Sequence, residues 1–332
     1  MLFARAGLSN RLSQSIIVGM TTAPSIGAPW ALRASDLTLL LVAVVWGTSY
    51  GVAKGALAHY PVLGFLAVRF LLAAMLLAPA CLRVTRAQWR DALRAGLPLG
   101  GLLMAIFVCE TRGLALTQAS NAALLISLCV VFTPFAEWSM LGRRPAPAMF
   151  GFAAVSLLGA ALLAGDWRMR WGAGDALMLG AAVLRAVTVC ATSRLARRHA
   201  RAPMAALTVV QSLVVGLGCL ALAACLPGGL PPLPRDGAFW LATLYLVGGC
   251  TVFAFVAQNW ALRHSAPSRV GLLMGTEPAW GALFAVAWLG ETLDASGWAG
   301  GALIVAAAFR TLRGRGGRRG GDAASVAPGS GA

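Results

Sequence analysis

The stretch FVAQNWALRHSAPSRVGLLMGTEPAWGALFAVAWLGETLDASGWAGGALIVAAAF, residues 255–309, decides how the chain is read. It runs from the centre of one apolar segment through a short basic turn into a second, broken by Glu277-Pro278. It then passes through Gly290-Glu291-Thr292 into a third. Proline removes a backbone donor and frees the carbonyl of Met274, so a kink, an open acceptor and a carboxylate share one turn. The pattern has an upstream copy. A shift of 148 residues, without a gap, sets residues 107–143 on 255–291. Phe107-Val108 falls on Phe255-Val256, Glu110 on Gln258, Ser120 on Ser268, Leu124-Leu125 on Leu272-Leu273 and Leu141-Gly142 on Leu289-Gly290. Turn and segment boundaries coincide, which marks an internal duplication.

Working outward, the whole chain of 332 residues is 59% apolar and 11% charged, with a mean hydropathy of +0.77. That composition lies far from soluble globular domains. Runs of about 18–25 apolar residues cross a bilayer, and at that depth every backbone group must be bonded internally. The runs are rich in Ala, Leu and Gly and lack period-2 alternation, so the fold class is an all-α membrane protein. Ten transmembrane helices are expected, at 37–57, 62–82, 94–116, 120–141, 147–165, 173–194, 203–226, 237–262, 267–289 and 294–312.

Charge sets the orientation. Twenty arginines fall in segments on the side of the N-terminus; three, Arg168, Arg170 and Arg235, fall on the other. By the positive-inside rule both termini are cytoplasmic and the protein is multi-pass in the cell (inner) membrane. The net charge of +16 is thereby explained by loops, and nothing points to nucleic acid. Residues 36–165 form one five-helix repeat, 166–172 a linker and 173–312 the second repeat. Five is odd, so the second repeat enters the membrane upside down, an inverted-topology arrangement. Residues 1–35, with Met20 as an alternative start, and 313–332 read as disordered extensions.

The seven cysteines form no C-x-x-C pair and lie in or at the ends of spans; His59, His199 and His264 are far apart. No metal site and no cofactor is expected, and no nucleophile–base set supports an enzyme. The informative residues are polar ones inside spans, because a charge at the bilayer centre costs at least about 2.5–3.5 kcal/mol. Trp46, Tyr50 and Lys54 share one helix face. Arg69, Arg185 and Glu277 lie too deep to reach the interface, and Gln211, Gln258 and Glu110 accompany them. Lys54 and Arg112 are placed to snorkel outward, Glu137 to pair with Arg143-Arg144, and Thr188 and Thr192 to bond their own helix.

WGTSYGVAKGAL (46–57), AVRFLLAAMLLAP (67–79), ETRGLALTQASNAALLISLCVVFTPF (110–135), TEPAWGALFAVAWLGE (276–291) and GWAGGALI (297–304) together resemble the EamA-type transporters of the drug/metabolite transporter superfamily. The resemblance spans residues 37–312 and implies two inverted five-helix EamA repeats that export or exchange small metabolites, in some members driven by protons. It departs at Gly142-Arg143, where the family often has Gly-Glu; Gly290-Glu291 keeps the pattern.

The expected function is therefore a secondary transporter of a small metabolite, an amino acid or related compound, working by alternating access. Substrate would meet Trp46 and Tyr50 as a flat wall, Arg69 and Arg185 as attractors of an anionic group, and Gln211 and Gln258 as neutral partners. Glu110 or Glu277 would carry a coupling proton, and Pro278 would serve as a hinge. The partners are thus a small solute, lipid and protons, with room left for a homodimer. A channel or a non-transporting assembly partner is the alternative, and a membrane lipid enzyme ranks below both.

Overall fold

The computed structural model describes residues 34–117, 119–164, 172–227, 229–289 and 292–313. The expected extensions at either end, the junction at 165–171 and the Gly290-Glu291 step lie outside the described residues. Among the described residues every regular element is helical. The chain opens with α1 (Ala34–Gly47) and α2 (Ser49–Leu57), then α3 (Val62–Leu77), which tightens into a 3₁₀ turn over Ala78–Cys81. The 31-residue α4 (Arg86–Leu116) follows, then α5 (Ala119–Ser127), α6 (Cys129–Leu141) and α7 (Pro147–Ala164). Next come α8 (Ala173–Arg198), α9 (Met204–Ala224) and α10 (Gly237–Tyr245), which widens into a π-helical segment, Leu246–Phe253, before α11 (Ala254–His264). The chain ends with α12 (Pro267–Met274), α13 (Glu277–Leu289) and α14 (Ala295–Arg313). By length and apolarity seven helical stretches can cross a bilayer, or up to eight if α1 and the bent continuation α2 count as one; α12, α13 and α14 fall short among the described residues.

Local chemistry fixes the ends. Thr85 caps α4 in a reciprocal box with Gln88, each side chain bonding the other's backbone N–H. Gly142 closes α6 at φ 64°, a conformation that a β-carbon disfavours. Asp236 and Asp294 accept backbone N–H groups at the starts of α10 and α14.

Two interruptions coincide under the 148-residue shift. α5 gives way to α6 at Leu128, and α12 gives way to α13 at Gly275-Thr276. The proline expected to kink a continuous helix therefore sits in the first turn of a new one, where its missing N–H has no intrahelical partner to lose. Likewise Pro98, inside α4, corresponds to Leu246, the first residue of the π segment.

Packing follows the same relation. α4 lies on α8 and α6 on α8; α11 lies on α1 and α13 on α1, which are their counterparts in the other half. α3 packs on α9 and α7 on α14, each pair its own counterpart. At the α7–α14 crossing a β-carbon on Gly159 would come 2.6 Å from the Gly300 carbonyl oxygen, so the two backbones touch. The core between the halves is filled by Leu39, Val42, Phe65, Leu66, Phe70 and Leu273, all fully or almost fully buried.

Candidate functional site

A cavity of about 450 Å³ opens where both halves meet, lined from α1, α3, α4, α6, α8, α11, α12 and α13 among others. Trp46, Arg69, Glu110, Arg185, Gln258, Glu277 and Pro278 all line it. Three of these come from the first half and four from the second. Tyr50 falls on α2 with its side chain outside the described residues.

Arg185, near the middle of α8, is the electrostatic centre. Its Nη2 donates to both oxygens of Glu110 at 2.8 and 2.9 Å, and its Nε adds a contact of 3.2 Å. Its Nη1 donates to Glu277 Oε2 at 3.4 Å. All three side chains are largely buried, 19%, 10% and 8% exposed. Fork-to-carboxylate geometry of this kind is the strong form of the interaction, and it binds α4 of one half to α8 of the other. The guanidinium lies 5.5 Å from the centre of the Trp46 ring. Trp46 is held in turn by donating its indole N–H to the Cys250 carbonyl at 2.9 Å and by an edge contact with Phe255.

The π segment makes three polar contacts to the first half, one of them from Cys250 Sγ to the Val45 carbonyl at 3.6 Å. Widening the helix redirects the Cys250 carbonyl to Trp46, and it turns Thr251 toward α3. Thr251 Oγ1 donates five residues back to the Leu246 carbonyl and accepts from Arg69 Nε at 2.9 Å. Arg69 is 5% exposed, with the rings of Phe70 and Phe107 5.5 and 5.2 Å from its guanidinium carbon.

Four expectations change. Gln211 is not part of the cavity lining; its Oε1 accepts from Asn259 Nδ2 at 2.9 Å, in a buried contact that also takes in Thr208. Glu137 is buried away from Arg143-Arg144 and accepts from the backbone N–H of Ser268 at 2.9 Å, with a second, very short bond from the Ser268 hydroxyl. Thr188 lines the cavity with its hydroxyl buried and unpartnered among the described residues, rather than bonded to its own helix. Arg269, one of the twenty arginines counted on the side of the N-terminus, is buried: it grips Asp36 with Nε at 3.0 Å and Nη2 at 2.7 Å, and donates Nη1 to the Thr311 carbonyl. These partners stand 131 and 233 residues apart in the chain, beyond any local pattern. Lys54 and Arg112 are exposed near helix ends, as snorkelling requires.

The model of the EamA-like transporter family matches the chain twice, over residues 33–165 and 172–313. The chain belongs to that family. It is an EamA-type member of the drug/metabolite transporter superfamily, a multi-pass membrane transporter built from two EamA repeats. An uncharacterised transporter of Archaeoglobus fulgidus is 24% identical over 288 residues, covering 83% of this chain and 96% of the relative. A probable terminal-alkyne amino-acid exporter of Streptantibioticus cattleyicolor is 28% identical over 285 residues, covering 85% of this chain and 94% of its own. A solved structure, described only as a crystal structure of a protein, superposes with a TM-score of 0.68 at 22% identity, over 85% of this chain and 98% of its own. Likeness at that identity speaks for the fold alone.

Proposed function

We propose that this EamA-type protein is a secondary active transporter of the cell (inner) membrane that exports or exchanges a small metabolite, an amino acid or related compound, by alternating access. In this reading ten helices cross the bilayer as two inverted five-helix repeats with both termini cytoplasmic. The observation that carries it is the cavity itself: charged groups from both halves converge on one space, which a scaffold would fill with apolar side chains. The lining runs from Thr133 and Met274 to Leu114, Leu163 and Ala164 at the ends of α4 and α7. Near the start of α1 and the end of α6 lie the Asp36–Arg269 and Glu137–Ser268 contacts, none of whose residues lines the cavity, and in this reading they close that face. With the N-terminus inside, that is an outward-facing state.

The name of the Streptantibioticus relative makes amino acids the first substrates to try. Glu110 and Glu277 supply carboxylates for proton coupling. The test is counterflow and net flux of amino acids and related metabolites in proteoliposomes, with and without a pH gradient. Saturable flux with counterflow is expected. Flux that fails to saturate would instead mean a channel, and flux of no compound would leave the assembly-partner reading.

A further inference from the structure

Gly142-Arg143-Arg144 lies away from the central cavity and takes no part in it. The 148-residue shift sets it on Gly290-Glu291-Thr292, so two cations stand where the second repeat has a carboxylate and a hydroxyl. Gly142 turns the chain at φ 64° and Pro145 disfavours a helical Arg144, so the pair leaves α6 rather than extending it. The guanidinium of Arg144 lies 5.4 Å from the centre of the Trp138 ring, and Arg194 reaches from α8 to the Met140 carbonyl at 3.5 Å. All three arginines are exposed, and none makes an ion pair among the described residues. Glu137, the carboxylate nearest to Arg143 in the chain, is turned to Ser268.

Trp138 also lines a groove of about 510 Å³ between α6 and α8, together with Phe132, Phe135, Val183 and Val187. Phe135, Trp138 and Val183 are exposed, and the one hydroxyl, of Ser139, donates to the Ala136 carbonyl of its own helix. No residue lines both this groove and the central cavity, so the groove occupies another face of the same two helices. It has a cause in the sequence. A shift of 139 residues sets Asp36 on Asp175 and Trp46 on Arg185, which puts Ala186 in the place of Gly47. The 148-residue shift puts Thr133 in the place of Gly281. Where α1 meets α13 those two glycines let the backbones touch. Where α6 meets α8, side chains stand at both positions, and Ala186 lines the groove.

Both helices are long and apolar enough to span a bilayer, so the groove lies at membrane depth and ends at three guanidiniums. That combination suits an acyl chain joined to a phosphate. We propose that the groove binds one anionic phospholipid, its chain between α6 and α8 and its phosphate held by Arg143, Arg144 and Arg194. In the topology proposed above this is the cytoplasmic leaflet. A second copy docked here about a twofold axis would set its own three arginines against these, which like charge opposes.

The test is native mass spectrometry of the full-length protein, titrated in detergent with phosphatidylglycerol or with phosphatidylcholine of the same acyl chains. One phosphatidylglycerol is expected to bind about tenfold or more tightly than phosphatidylcholine. Arg143→Gln with Arg144→Gln is expected to weaken it about 25-fold, about fivefold for each arginine. Arg86→Gln with Arg90→Gln, an exposed pair at the start of α4, is expected to leave it unchanged. Phosphatidylglycerol brominated along its chains quenches tryptophan on contact, and Trp138→Phe is expected to remove part of that quenching. Equal affinity for the two lipids, an equal loss from both arginine pairs, or quenching that Trp138→Phe leaves intact would each overturn the site. So would a dimer that retains no lipid. The comparison of the two lipids on the unmodified protein stands even if the variants do not fold.

Discussion

Glu110 and Arg185 belong to different halves of the molecule, and three N–H···O contacts between them make this the tightest charged link across the cavity. Replacing Glu110 by Gln keeps the shape and removes the charge. The expected outcome is a loss of about 1–3 kcal/mol, read as a lower midpoint in thermal unfolding of the detergent-solubilised protein. Glu277→Gln tests a different property. If Glu277 is where a coupling proton exchanges, flux by this variant is expected to become insensitive to an imposed pH gradient while counterflow persists. Retained stimulation by the gradient would exclude Glu277 as the coupling group. These groups stand out in the sequence because charge is expensive in lipid. What they touch is not legible there: Glu110 and Arg185 are 75 residues apart, and their pairing exists only once α4 lies on α8.

At the scale of helices, the interruption between α12 and α13 has a partner between α5 and α6, where the position equivalent to Pro278 is Val130 and the nearest following proline, Pro134, lies well inside α6. The break therefore belongs to the repeat and not to Pro278. Pro278→Ala is expected to leave it in place and to change stability by no more than about 1 kcal/mol, with the α12–α13 angle, measured by spin-label distances, unchanged. A straightened helix would show that proline makes the break. The duplication and its register were readable from the chain because the 148-residue shift preserves segment ends. The 41° bend between α1 and α2 was not. It arises where α1 meets α13: a β-carbon on Gly47 would approach the Gly281 nitrogen to 2.7 Å and the Glu277 carbonyl oxygen to 2.8 Å. The Thr48 and Ser49 hydroxyls satisfy the carbonyls of Val45 and Trp46 beside the bend. Gly-Thr-Ser is ordinary inside an apolar run, and only the facing helix gives it meaning.

For the molecule as a whole, Asp36, Glu137, Ser268, Arg269 and Thr311 gather outside the cavity lining, on the face that the outward-open reading takes as closed. Two carboxylates from the first half there hold the start of α12 in the second. Opening that face has to break both contacts. Asp36→Asn with Glu137→Gln is therefore expected to favour the oppositely open state by about tenfold or more, the equivalent of a charge-assisted hydrogen bond. The measurement is labelling of Met274→Cys by an impermeant thiol reagent applied from the blocked face. Unchanged labelling would mean that apolar packing alone keeps it shut.

One consequence follows from the place where Gly159 and Gly300 bring two backbones together. α7 and α14 are counterparts of each other, so their crossing lies where the halves share a common axis, and chains that close can swivel but have no slack to slide. In the alternating-access proposal the crossing is then a fulcrum, about which the two repeats would seesaw. Wedging it with Gly159→Val is expected to leave a protein that still captures its solute in a thermal-shift assay and yet carries none of it across.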